Sequence, residues 1–190
     1  MNRPEGREEA LSGQHSGDLP EPWLRGPLPQ VHAILAPILC ALQQTREDLA
    51  RHTAGLTVSQ VWARPHGLAP LGFHLRHIAG SVDRLTVYLE GRQLQAAQMA
   101  ALAAEMDPGA SLQELLSAVD PVLRRAGEII RAIDIATLAE PRWVGRKRLP
   151  TTVMGLLVHI AEHTQRHLGQ AISAAQLARA CDGNESKALG

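Results

Sequence analysis

The chain of 190 residues carries 19 basic and 19 acidic side chains, so nothing in its overall charge directs it to nucleic acid or to an anionic membrane surface. Hydrophobic residues make up 45% but aromatics only 3%, and the dominance of alanine and leucine argues against strand-rich folds and for an all-α domain with one core. No run approaches the roughly 18 apolar residues needed to span a bilayer, which argues against a membrane protein.

Residues 1–27 hold Gly, Pro, Glu, Ser and Arg without periodicity and are expected to be loose or draped over the surface. Within them, residues 1–14 have no apolar stretch of the kind a secretory leader requires. From about Leu28 a helical stripe appears in Val31, Ile34, Leu35, Ile38, Leu42 and Leu49. Pro37 falls inside it, so the helix either kinks there or restarts with the proline in its first turn. His32, near the start, fits a solvated or capping role. Between Gly55 and Pro70 the pattern breaks, and Trp62, Arg64-Pro65 and Gly67 indicate a connection packed by the indole.

A second helix is predicted from about Leu71 to Glu90, with Leu71, Leu75, Ile78, Val82, Leu85 and Leu89 inward and His74, His77, Ser81 and Tyr88 along the border of that seam. Residues 92–106 read as a shorter helix crossing the bundle, ended by Asp107-Pro108-Gly109. Ser111 and Glu114 form a Ser-x-x-Glu capping box for a third long helix, which offers no histidine. Residues 137–150 are expected to be a connection containing Trp143 and Arg146-Lys147-Arg148. Such a cation cluster is usually only solvated, but it could hold an anionic substrate. Thr151 or Thr152 then caps the last helix, and the chain past about Arg179 is expected to fray. The domain proper is thus 28–180, with a tail at 181–190. Cys40, in a helical pattern, and Cys181, in that tail, make neither a disulfide framework nor a cysteine zinc site; they fit a reducing compartment, and the expected location is the cytoplasm.

The chemistry concentrates in the last helix. Alternating steps of four and three give an inward seam of Val153, Leu156, Ile160, His163, His167, Gln170, Ala174 and Leu177. Histidines four residues apart project from one helical face and can close on one ion, and burying two imidazoles without partners is costly. The seam favours His163 with His167 over His159 with His163. His74 or His77 could supply a third nitrogen, and spacing does not choose between them. The plainer alternative is that these are packed or solvated histidines with ordinary hydrogen bonds. Thr164 stands where the metalloprotease HExxH motif would place its glutamate base, so the pattern is not that motif. Glu162 and Arg166 have the spacing of an exposed ion pair.

Phe73-His74-Leu75-Arg76-His77-Ile78-Ala79-Gly80-Ser81, followed far downstream by His163-Thr164-Gln165-Arg166-His167-Leu168-Gly169-Gln170, resembles the DinB/YfiT-like metalloenzymes over roughly Leu28 to Arg179. The resemblance implies a four-helix bundle with a divalent metal, zinc or nickel, held by His77, His163 and His167. His74, His159 and Gln170 are left as outer-sphere partners or alternative ligands. It further implies a metal-dependent enzyme that activates a thiol or water against a small-molecule substrate, with a low-molecular-weight thiol as cosubstrate in some relatives and homodimers among them. The competing reading is a non-enzymatic ligand-binding or stress-response bundle whose metal is structural or absent.

Overall fold

The computed structural model describes residues 19–188, with side chains through 181. It is mostly helical: α1 (Ala36–Thr53), α2 (Val58–Trp62), α3 (Leu71–Leu89), α4 (Ala96–Ala103), α5 (Leu112–Arg131) and α6 (Val153–Ala188), with one small antiparallel hairpin, β1 (Pro141–Val144) and β2 (Leu149–Thr152). Of the segment expected to be loose, residues 1–18 lie outside the described residues. Arg25, in the described part, reaches α1 and pairs with both carboxylate oxygens of Glu47 at 2.6–2.8 Å.

The first long helix begins at Ala36 and not near Leu28. Pro37 lies in its first turn, where a missing N–H costs nothing, so the restart is realised and the kink is not. Leu35, just outside the helix, is still buried, and His32 Nδ1 accepts a bond from the Ile34 N–H at 3.3 Å. The Gly55–Pro70 connection contains α2, whose capping box pairs Thr57 with Gln60. Its Trp62 indole donates to the Ala110 carbonyl at 2.8 Å and lies so close to α3 that a Cβ on Gly72 would come within 2.7 Å of the ring. The Ser111–Glu114 capping box is present on α5, and Thr152 Oγ1 accepts from the Gly155 N–H at 3.0 Å to cap α6. The stretch 137–150, read from sequence as a connection, forms the hairpin instead. Its Pro141, Pro150 and basic turn mask the alternation that normally marks strands.

α3 packs against α6 and α5, and α1 packs against the same two helices, so α1, α6, α3 and α5 enclose one core. The α3 seam is buried as expected, from Leu71 through Leu89. On α6 the buried line is Val153, Leu157, Ile160, Thr164, Leu168, Ala171, Ala175 and Ala178. It departs from the predicted seam after Ile160. Thr164, a small β-branched residue, takes the central place, while His163 and His167 stand on the flank, half-buried, and Gln170 is exposed.

Candidate metal centre

The flank of α6 faces the border stripe of α3, and this is where the histidines meet. His74 and His77 are three apart on α3; His163 and His167 are four apart on α6, so each pair projects from one face of its helix. One ligand atom each from His77, His163 and His167 lies within 4.8 Å of the others. His77 Nε2 and His163 Nε2 are 2.9 Å apart, and the ring centroids of His77 and His163 lie 4.3 and 4.6 Å from that of His167. Ligand nitrogens around one tetrahedral zinc ion are separated by about 3.3 Å, so the His77–His163 pair needs only a few tenths of an ångström of adjustment and His167 stands within 4.8 Å of both.

The second ring nitrogens show how the trio is oriented. His77 Nδ1 is 2.7 Å from Glu105 Oε2, and Glu105 is only 4% exposed. Burial alone would raise the Glu105 carboxyl, but the contacts from His77 and Arg84 outweigh it and hold its pKa below the usual value. An ionised carboxylate can only accept, so His77 donates through Nδ1 and leaves its Nε2 facing His163. A carboxylate behind a ligating histidine fixes both the tautomer and the ring orientation. Arg84 Nη1 lies 2.9 Å from Glu105 Oε1; the alignment falls short of a hydrogen bond, so the attraction is that of charge. Gly80 makes room for both groups, because a Cβ there would stand 2.6 Å from Arg84 Nη1 and 2.7 Å from Glu105 Oε1.

His167 is oriented by the other α3 histidine. His74, 6% exposed, places its Nδ1 3.2 Å from His167 Nδ1, which leaves His167 Nε2 outside that contact. Desolvation, reinforced by the neighbouring His77, lowers His74 to about 4. Desolvation followed by His77, His163 and His74 likewise lowers His167 to about 4, and burial followed by His77, His159 and Arg166 pushes His163 down. These rings are therefore neutral at pH 7, the state a cation requires of its ligands. His163 Nδ1 is buried and has no hydrogen-bond partner among the described residues. A donor set of imidazoles, one backed by a buried carboxylate, fits a divalent transition metal.

His159 belongs to a different group. It is exposed, its Nδ1 is 2.7 Å from Glu162 Oε1, and Glu162 also pairs with Arg166 as the spacing implied. His159, Glu162 and His163 likewise bring one ligand atom each within 4.8 Å. Gln170 has no hydrogen bond to either group among the described residues and is turned to solvent by the shift of the α6 seam.

Sequence reasoning overlooked Glu105, Arg84 and Gly80. Glu105 follows an alanine-rich helix, and no spacing rule connects it with a histidine 28 positions earlier. The available signal was on α3, where His77 and Arg84 are seven apart, two turns along one face, and together invite an anion.

A cavity of about 720 Å³ opens beside His77, His159 and His163 and runs past Leu85, Tyr88 and Met99 to Val144 and Arg146 of the hairpin. Among the described residues, no helix is long and apolar enough to cross a membrane. No curated protein matches the chain. The sequence profile of the DinB superfamily matches residues 41–171, a span that begins in α1, ends in α6 and contains every histidine of both groups. The chain therefore belongs to the DinB superfamily.

Proposed function

We propose that His77, His163 and His167 hold one divalent cation, zinc or nickel, and that the protein is a metal-dependent enzyme acting on a small molecule in the adjoining cavity. The observation that carries this reading is the meeting of three imidazoles from α3 and α6 within 4.8 Å at the wall of a 720 Å³ cavity. When bound by three histidines, such an ion leaves a position for water or a substrate thiol and lowers the pKa of that group toward neutrality. The protein's own part is to keep His163 and His167 unprotonated by burial, to aim His77 through Glu105 and His167 through His74, and to offer a cavity that receives the substrate beside them. The four long helices are read as the four-helix bundle that membership implies. The unpaired Cys40 and Cys181 accord with a cytoplasmic location, and a homodimer is in keeping with relatives.

Elemental analysis of protein purified without chelator is expected to find about one zinc or nickel per chain, and His163→Ala to lose it. Incubation of the loaded protein with a low-molecular-weight thiol and an electrophile then separates the chemistries. Metal-dependent loss of free thiol supports transfer to the electrophile, and metal-dependent hydrolysis without thiol loss supports water as nucleophile. Ligand binding indifferent to metal, with neither reaction, returns the protein to the non-enzymatic reading.

A further inference from the structure

The cavity beside the histidines has walls of one electrical sign. Among the described residues, no aspartate or glutamate lines it, and the formal charges on its surface belong to Arg84 and Arg146. Arg84 is already neutralised by Glu105. Arg146 is exposed at the far end and has no hydrogen bond or ion pair among the described residues. The hairpin explains why this one of three consecutive cations is at the cavity. Val144 pairs with Leu149, leaving a four-residue turn that uses left-handed backbone at Gly145 (φ 70°) and Arg148 (φ 48°). Arg148 is drawn over the Trp143 ring, 5.0 Å from its centroid, and Lys147 does not line the cavity. Between Arg146 and the histidines the wall is largely apolar, through Leu85, Leu94, Met99 and Val144.

We infer that this cavity binds an amphipathic small molecule whose oxyanion head is held by Arg146 and whose apolar body extends toward the histidines. A guanidinium offers a planar fork matched to carboxylate and phosphate, and the volume lies in the range of sites that enclose small ligands. The inference rests on the functional reading only in taking the histidine end as the place of reaction; the recognition of the head group does not require a metal.

The test is calorimetric titration of octanoate, octyl phosphate and the uncharged octanamide into the full chain, stripped with chelator and, separately, loaded with zinc. The stripped wild type is expected to bind at least one of the two anions about three- to fivefold more tightly than octanamide, the scale of an exposed charge pair. Comparison of octanoate with octyl phosphate identifies which head is preferred. Arg146→Met should erase the preference, whereas Lys147→Met, which removes the same charge from the same turn, should keep it. Equal binding of all three probes by the wild type, or equal effects of the two substitutions, overturns the inference. A chain that takes up no zinc yet prefers an anion loses the metal reading and keeps this one; a chain that binds zinc but ignores the head group loses this one alone.

Discussion

Two groups of potential ligands share His163, and by distance they are equals: each brings three ligand atoms within 4.8 Å. They differ in what their atoms are already doing. In the outer group Glu162 is exposed and committed to both His159 and Arg166, so an ion there would have to break interactions that water already weakens. In the inner group the outward nitrogen of His77 is taken by a buried carboxylate and that of His167 by a buried histidine, which leaves their remaining nitrogens directed at one another's neighbourhood. Proximity makes a candidate; the partners behind each ring decide whether its lone pair is available.

The sharpest way to break this contrast is substitution of the ligands themselves. His163→Ala should take the metal content of the purified protein from about one ion per chain to near none, while His159→Ala leaves it unchanged, as measured by elemental analysis. Glu105→Gln removes the charge behind His77 while keeping its shape, and it should weaken zinc affinity about 10- to 100-fold in competition with a chromogenic chelator. Gly80→Ala acts on the same carboxylate from the opposite side. The added methyl meets only the side-chain ends of Arg84 and Glu105 and no backbone, so chemical denaturation should show a stability loss of about 1–3 kcal/mol, whereas zinc affinity falls by up to about tenfold as Glu105 is displaced from His77.

Proton linkage sharpens the comparison further. His74 and His167 are lowered to about 4 in the folded chain, against about 6.5 in the unfolded one, so between those values the unfolded state binds more protons. Stability of the chelator-treated protein is therefore complete above about pH 6.5 and declines as pH falls toward about 4, a trend that thermal melts across this window should show and that His74→Phe should lessen. The smallest effect belongs to the outer group: Glu162→Ala is expected to change zinc affinity by less than about twofold, since Glu162 is no part of the inner trio.

How far the sequence disclosed this arrangement follows from the range over which its signals act. Within one helix, periodicity is a strong guide. It located the α3 seam residue by residue, found the Ser111–Glu114 box, and put His163 and His167 on a common face. It misjudged the centre of that face, because His163 and Thr164 both lie one turn from the apolar Ile160, and only packing against α1 and α3 decides that Thr164 goes inside. The choice of His77 over His74 came from resemblance, and the coordinates set both beside the α6 pair in different contacts. Glu105 was illegible for a plainer reason: its pairing with His77 depends on how the α3–α4 connection returns to α3, a long-range closure that no local pattern encodes. The hairpin was hidden by prolines and a basic turn, and with it the distinction among Arg146, Lys147 and Arg148.

The account turns on which side chains surround the ion. X-ray absorption spectroscopy at the zinc edge of the loaded protein is expected to show three imidazole nitrogens at about 2.0–2.1 Å with one light-atom ligand from solvent, unchanged in His159→Ala and reduced in His77→Ala. A zinc shell that loses an imidazole in His159→Ala and keeps all of them in His77→Ala would move the ion to the outer group and contradict the assignment.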